Sequence, residues 1–231
     1  MNNNVIIACD FDSKEKLMNF LKDFEGLNPC LKIGMEMYYK EGPSLVRELK
    51  EKGFKIFLDL KLCDIPNTVE KAMEKLGDLG VDITNVHALG GIEMMKAARR
   101  GLDKSEKGKN TKLIAVTVLT SLSEDIIHSE LGIDNKYDVL NLAKFLASNA
   151  KTAGLDGVVC SAFEAREISK MDLLSVCPGI RLSGDDVNDQ KRVATPRLAK
   201  ENNATYIVVG RTITKSDNPV LAYKKCLEEF N

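Results

Sequence analysis

Eight short apolar segments, each followed by a stretch with helical periodicity, constrain the fold of this chain more than any other feature. Strand side chains alternate in direction, whereas the apolar residues of a helix recur every three or four positions. The predicted strands are Val5–Cys9, Cys30–Ile33, Lys55–Leu60, Val81–His87, Leu113–Leu119, Gly157–Cys160, Leu174–Cys177 and Tyr206–Val209. Eight strand–helix units of about 29 residues each predict an α/β protein, a single-domain (β/α)8 TIM barrel over residues 1–231.

An open, doubly wound sheet is the main alternative architecture. Its most common function, dinucleotide binding, requires the pattern GxGxxG after the first strand, and this pattern is absent. The barrel makes a prediction of its own, because barrel enzymes place their catalytic residues at the C-terminal ends of the strands.

Capping signals support several of the predicted helices. Ser13 is a candidate N-cap for the first helix, and Thr195-Pro196 has the N-cap and first-turn proline of another. A helix is also predicted around Ser44–Lys52, with Gly53 at its C-terminal end. The last helix is predicted over Pro219–Phe230.

The composition excludes several classes of partner and site. Lys plus Arg (33) nearly equals Asp plus Glu (34), so nothing favours binding to nucleic acid or to an anionic membrane. No apolar run approaches the roughly 18 residues of a membrane span. The first residues lack the pattern of a signal peptide, and we expect a cytoplasmic protein. Six cysteines without metal-ligand spacing and only two histidines predict no metal site.

The third predicted strand carries an unusual group of charges. Asp59 and Lys61 alternate with aliphatic residues and therefore point the same way, and Asp64 follows just before Pro66 stops the strand. Burying ions is costly unless they are paired, so a fold that gathers them at one strand end is expected to use them. The alternative is a solvated edge strand with ordinary ion pairs.

Lys32, in the second predicted strand, adds a further cation to this group. Alternating signs would keep each ion paired and would hold Lys61 as an ammonium beside two carboxylates. An ammonium is unsuited to forming a Schiff base, which needs a neutral amine. It is suited to delivering a proton to developing negative charge, so we predict a general acid.

The ends of the seventh and eighth strands have the features of a phosphate site. Arg181 and Arg211 each follow a glycine closely, at Gly179 and Gly210, and these are the positions where barrels commonly bind a phosphate. The alternative is that both are ordinary surface arginines.

The polar segment Leu182–Ala194 lies between these two strand ends. Its length is typical of a mobile lid, and Gln190 within it could then reach a bound ligand.

Other strand ends are polar as well. Asp10 follows the first strand, Asn85 and His87 lie at the end of the fourth, and Thr120 and Ser121 follow the fifth. His87 is interpreted as a strand-end or core histidine, and Thr120 and Ser121 could simply cap the next helical turn.

The segment Asp59–Thr68 reads D-x-K-x-x-D-I-P-x-T and resembles the signature of bacterial-type orotidine 5′-phosphate decarboxylases. Supporting matches stand in the expected order at Ala8–Asp10, Leu31–Gly34, Val116–Ser121, Pro178–Arg181, Asp189–Pro196 and Val208–Arg211. The departures are Cys63, where a histidine is common, and Cys9, where an aliphatic residue is usual.

The resemblance implies a cofactor-free decarboxylation of orotidine 5′-monophosphate to UMP, the last step of de novo pyrimidine synthesis. Lys61 would donate the proton to C6, Asp59 would lie near the leaving carboxylate, and Lys32 and Asp64 would complete the charged array. Asp64 and Thr68 would reach the neighbouring subunit's site in a homodimer. The implied substrate contacts are Asp10, Lys32, Asp59, Leu60, Lys61, Leu62, Cys63, Asp64, Ile65, Pro66, Asn67, Thr68, Thr120, Arg181, Gln190, Gly210 and Arg211.

Two other functions remain open at this point. A magnesium-dependent hexulose-phosphate synthase or keto-gulonate-phosphate decarboxylase shares the D-x-K-x-x-D core but lacks the continuation Ile65–Thr68, and it needs a metal to stabilise an enediolate. A catalytically silent phosphate-binding barrel, such as a nucleotide sensor, is the second. The intact array of Asp59, Lys61 and Asp64 argues against it, since binding alone would not require these charges.

Overall fold

The computed structural model describes residues 4–184 and 193–231, whose strands form a closed barrel of eight parallel strands in chain order. The first strand pairs with both the second and the eighth, which closes the barrel. The strands are β1 Val5–Ala8, β2 Cys30–Gly34, β3 Lys55–Leu62, β4 Ile83–His87, β5 Lys112–Val116, β6 Gly157–Val159, β7 Leu174–Ile180 and β8 Tyr206–Val209. The predicted (β/α)8 barrel is confirmed.

Helices follow the strands and cover the outside of the barrel. Those in the described residues are α1 Lys14–Lys22, α2 Met35–Glu51, α3 Pro66–Gly77, α4 Gly91–Asp103, α5 Glu124–Ser129, α6 Val139–Thr152, α7 Ala165–Ser169, α8 Pro196–Glu201, α9 Arg211–Thr214 and α10 Pro219–Phe230. Two short 3-10 helices, Ala88–Gly90 and Gly108–Asn110, complete them.

Alternation along the strands separates two apolar cores. A small cluster fills the barrel interior, and a larger one packs between the strands and the helices. In β3, Phe57 belongs to the interior cluster, while Ile56 and Leu58 belong to the outer one. Asp59 and Lys61 continue the interior-facing side of β3, so they point toward the C-terminal mouth of the barrel.

The predicted helix caps are confirmed, and one helical segment was missed. The Ser13 hydroxyl oxygen accepts a hydrogen bond from the Lys16 N–H, and the Thr195 hydroxyl oxygen accepts one from the Leu198 N–H. The second helix consists of two helical segments within Met35–Glu51, separated by a kink at Gly42, and the predicted helix around Ser44–Lys52 is the second of these segments. Gly42 itself is not helical, with a φ of 69° and a ψ of -167°. The prediction began after this kink because Gly and Pro in sequence normally interrupt a helix.

Most strand ends lie within two residues of the prediction, but two differ by more. β5 ends at Val116 rather than Leu119, and β7 continues to Ile180. The register between β7 and β8 shifts between Cys177 and Ile180, where Gly179 has a φ of 76°. This irregularity carries the strand past Pro178, which lacks an N–H for the regular ladder.

Five of the six cysteines are buried, and Cys63 is exposed. Within residues 4–184 and 193–231, every helix is too short or too polar to cross a lipid bilayer.

Candidate active site

A cavity of about 540 Å³ opens at the C-terminal ends of the strands. Eight of the predicted site residues line it: Asp10, Lys32, Asp59, Lys61, Thr120, Arg181, Gly210 and Arg211. They come from strand ends that are distant in sequence, which is how a barrel assembles a catalytic site.

Four charged side chains form a continuous chain of alternating sign along one wall of the cavity. Lys32 Nζ lies 3.0 Å from Asp10 Oδ1 and 3.4 Å from Asp59 Oδ2. Lys61 Nζ lies 2.7 Å from Asp59 Oδ1. Asp59 therefore lies between two ammonium groups, one at each carboxylate oxygen.

The surroundings of Asp59 keep it ionised. Burial raises the pKa of this carboxyl, but the charges of Lys32 and Lys61 and the hydrogen bonds from Lys61 and Asn85 outweigh burial and lower the pKa below 3.8. Burial likewise lowers the pKa of Lys32, and the charges of Asp59 and Asp10 more than compensate, so its pKa is raised above 10.5. Both groups thus carry full charge at neutral pH.

The backbone of Lys61 is in the left-handed region, with a φ of 52°. The register between β3 and β4 shifts between Leu58 and Leu62, so the regular ladder is interrupted at this point. The side chain of Asn85 bonds here instead, accepting from the Lys61 N–H at 2.8 Å and donating to Asp59 Oδ1 at 2.7 Å. Sequence reasoning placed Asn85 at a strand end but missed this role, since nothing in the sequence shows which neighbour it bonds.

Arg181 and Arg211 lie on the same cavity, at the ends of β7 and β8. Arg181 is buried, and its Nη1 donates to the backbone oxygen of Ile180 at 2.9 Å. Its backbone N–H donates to the oxygen of Ala194, which ties the end of β7 to the segment before α8. Two guanidinium groups are thus held at the part of the barrel expected to bind a phosphate.

Two polar cavity residues beside Arg211 were missed from the sequence. Thr214 and Lys215 line the cavity together with Arg211, and Lys215 adds a third basic side chain to this region. Their proximity to Arg211 in sequence was the available signal.

The segment Cys63–Thr68 lies outside the cavity within the single chain, and every residue in it is exposed. Asp64 does not join the ion chain; its Oδ1 accepts a hydrogen bond from the N–H of Ile65. The side chain of Ile65 is 67% exposed. Leu60 is buried in the outer core, and Leu62 packs against it, so neither side chain faces the cavity.

Comparison with known proteins identifies the family. The model of the orotidine 5′-phosphate decarboxylase / HUMPS family matches residues 3–226. The chain belongs to this family. A curated orotidine 5′-phosphate decarboxylase of Bacillus cereus (strain AH820) is 51% identical over 237 residues, covering 100% of this chain and 98% of the relative. One of Bacillus mycoides (strain KBAB4) has the same identity and coverage.

A solved structure of a family member has the same fold. The crystal structure of orotidine 5′-phosphate decarboxylase from Lactobacillus acidophilus superposes with a TM-score of 0.87 at 40% identity, covering 98% of each chain. Family membership and the closed barrel therefore agree.

Gln190 and most of the segment Leu182–Ala194 lie outside the described residues.

His87 is half-buried at the end of β4, and burial, aided by the charge of Lys61, lowers its pKa, so it is neutral at pH 7. In the described part of the chain, no cluster of three or more His, Cys, Asp or Glu residues could hold a metal ion.

Proposed function

We propose that this protein decarboxylates orotidine 5′-monophosphate to UMP and CO2 without a cofactor, as the last step of de novo pyrimidine synthesis. The 51% identity to curated orotidine 5′-phosphate decarboxylases over the whole chain supports the activity. The observation that carries the mechanism is the ion pair of Lys61 and Asp59, 2.7 Å apart, in the wall of a cavity that also contains two arginines.

The chemistry assigned to Lys61 is general-acid catalysis. The bond between C6 and the carboxylate carbon breaks, CO2 leaves, and the electron pair stays on C6. No adjacent carbonyl can delocalise this charge, so a fixed ammonium beside C6 stabilises the transition state more than the ground state. A proton then passes from Lys61 Nζ to C6, and the neutral amine regains a proton from water.

Asp59 has two roles in this proposal. Its carboxylate holds Lys61 at 2.7 Å and so fixes the donor nitrogen before the substrate binds. It also lies near the substrate carboxylate, where like-charge repulsion is relieved as CO2 departs.

The remaining cavity residues are assigned to binding. Arg181 and Arg211, with Gly210 and Gln190, would hold the phosphate, because guanidinium groups bind phosphate oxygens with paired hydrogen bonds. Asp10 and Lys32 would contact the ribose hydroxyls, and Thr120 the pyrimidine edge. Phosphate binding far from C6 would then supply binding energy that assembles the reactive geometry.

We also propose a homodimer in which Asp64 and Thr68 complete the partner's active site. Supporting this, the segment Cys63–Thr68 is exposed and directly follows the strand that carries Lys61. The side chain of Ile65, 67% exposed, offers apolar area that an interface would bury. The substrate contacts assigned to residues 63–68 depend on this dimer, and the cytoplasmic location stays a prediction.

The deciding experiment is the release of CO2 from orotidine 5′-monophosphate by purified protein in the presence of EDTA. We expect full turnover with no added metal or cofactor. The reaction is measured as the change in absorbance when the substrate is converted to UMP. If the protein released no CO2 from this substrate, whether metal was present or absent, the proposed activity would be refuted.

The response to EDTA also tests the alternative function, a magnesium-dependent sugar-phosphate enzyme. The alternative matters because the matching family model is that of the orotidine 5′-phosphate decarboxylase / HUMPS family and is not limited to the decarboxylases. A magnesium-dependent sugar-phosphate enzyme stabilises an enediolate through its metal, so its activity would be lost in EDTA and restored by Mg²⁺. The continuation Ile65–Thr68 favours the nucleotide substrate.

A further inference from the structure

Asn85 is completely buried in β4, and its side chain bonds two functional groups of β3 at once. Its amide oxygen accepts a hydrogen bond from the backbone N–H of Lys61 at 2.8 Å. Its amide nitrogen donates to Asp59 Oδ1 at 2.7 Å. The orientation of the carboxamide is fixed by its partners, because an N–H requires an oxygen and a carboxylate requires a donor.

The bond to Lys61 lies where the chain is least regular. A non-glycine residue in the left-handed region costs on the order of 1 kcal/mol or more, and Lys61 has a φ of 52°. The register of the β3–β4 ladder shifts between Leu58 and Leu62. At this point the side-chain oxygen of Asn85 accepts the hydrogen bond from the Lys61 N–H. Such a conformation persists only when its surroundings determine it.

The hydrogen bond from Asn85 to Asp59 acts on the carboxylate of the same ion pair. Asp59 Oδ1 accepts from both Lys61 Nζ and Asn85, so the two donors fix the rotamer of the carboxylate. Asn85 thus fixes the backbone of one ion and the side chain of the other.

We propose that Asn85 is a positioning residue for the reaction, holding Lys61 and Asp59 in their reactive geometry. The proposal rests on the proposed function, in which Lys61 is the proton donor. Only a carboxamide of this length serves both partners: leucine offers neither bond, and an ionised aspartate would lie against Asp59 with like charge.

The preceding residue provides a matched control. Thr84 is also completely buried in β4 and also bonds β3, with its hydroxyl donating to the Leu58 backbone oxygen at 3.1 Å. Because side chains alternate along a strand, Thr84 faces the outer core and contacts neither ion. Thr84→Val therefore removes one buried hydrogen bond between β4 and β3 and Asn85→Ala removes two, but only the second variant affects the ion pair.

The first test compares the kinetics of these variants with orotidine 5′-monophosphate. We expect Asn85→Ala to lower kcat by roughly 10- to 100-fold with a smaller change in KM, since a displacement of about 1 Å at a reacting group has an effect of this size. Thr84→Val should retain a kcat within about threefold of the wild type. Equal effects of the two variants on kcat would overturn the proposal.

A second variant gives a readout that a purely structural role would not produce. Asn85→Asp places two carboxyls against each other, which raises the pKa of one of them. While that carboxyl is protonated, it can donate to the other and accept from the Lys61 N–H, so kcat should exceed that of Asn85→Ala at acid pH. It should fall toward the alanine variant as pH rises, a decline absent from the wild type. Equal kcat for the two variants at every pH would contradict the proposal.

A third readout does not depend on activity. In the crystal structure of Asn85→Ala, Lys61 should leave the left-handed region or its Nζ should move away from Asp59 Oδ1 by about 1 Å. An unchanged Lys61 φ and ion-pair distance would overturn the positioning role whatever the kinetics. If the wild type failed to decarboxylate orotidine 5′-monophosphate, the proposed function would fail, while this crystal structure would still decide whether Asn85 holds the pair.

Discussion

Asp59 lies between Lys32 and Lys61, with one ammonium at 3.4 Å from Oδ2 and the other at 2.7 Å from Oδ1. The two ammonium groups balance the negative charge of this buried carboxylate, which stays ionised. The carboxylate therefore holds both lysine side chains in fixed positions. The arrangement suits a site in which a cation must already be in place when negative charge develops on a carbon.

Replacing Lys61 by alanine should remove the proton donor. We expect kcat for orotidine 5′-monophosphate to fall by about 10²- to 10⁴-fold, the usual contribution of a positioned general acid. Lys55→Ala is the matched control, since Lys55 is exposed at the opposite end of the same strand and should leave kcat unchanged. Retained turnover in Lys61→Ala would remove the assignment of the proton donor and would leave a different acid to be found.

Removing the phosphate from the substrate should lower kcat/KM by orders of magnitude, because the binding energy of the phosphate would no longer assemble the site. Arg211→Ala should lower kcat/KM for the natural substrate by about 10- to 100-fold, since a hydrogen bond to a charged group contributes about 1.5–3 kcal/mol. The same variant should have little effect on orotidine lacking phosphate.

The control for Arg211 is Arg197→Ala, because Arg197 is exposed on α8 and does not line the cavity. Its kinetics should match those of the wild type with both substrates. An orotidine that reacted nearly as well without phosphate would show that Arg181 and Arg211 serve another purpose.

Mixing two inactive variants tests whether the active site is shared. If Asp64 acts in the partner's site, a dimer of one Lys61→Ala and one Asp64→Ala subunit contains one intact site and one doubly altered site. Equal mixing with random exchange would then restore about a quarter of the wild-type activity. The mixture would stay inactive if each subunit used its own Asp64, and each variant alone serves as the baseline.

The lowered pKa of Asp59 predicts a loss of stability in acid. The unfolded chain binds a proton at this carboxyl near pH 3.8, whereas the folded protein binds it only at lower pH. Between these two pH values the unfolded state holds more protons, so the free energy of unfolding falls as pH falls. Urea unfolding between pH 6 and pH 2 should show a shallower decline for Asp59→Asn than for the wild type, and parallel declines would contradict the assigned pKa direction.

Much of this protein was predictable from local patterns. All eight strands were found because period-2 alternation and short apolar runs depend only on neighbouring residues. The caps at Ser13 and Thr195 were found because a side-chain oxygen three residues before its donor is a local signal. The omissions lie beside such signals, as at Met35, where a helical segment that ends at the break of Gly42 was missed although the break itself was correctly indicated.

The barrel rule also predicted which charged residues would meet. Asp10, Lys32, Asp59 and Lys61 come from three different strands, and closing the parallel sheet brings their carboxyl ends to one mouth. Asp64 shows the limit of this reasoning, since its position three residues after Lys61 suggested membership, but the chain leaves β3 before reaching it and turns the side chain outward.

The sequence by itself determined the number of strands, the barrel and the identity of the ions at its mouth, because periodicity and residue type are properties of short segments. Only the tertiary structure decided that Asn85 bonds both Asp59 and Lys61, and that Lys61 has a left-handed backbone. These features depend on the stagger between β3 and β4. Asn85 lies 26 positions from Asp59 and 24 positions from Lys61 in the sequence. That stagger is set by closure of the whole barrel rather than by either strand.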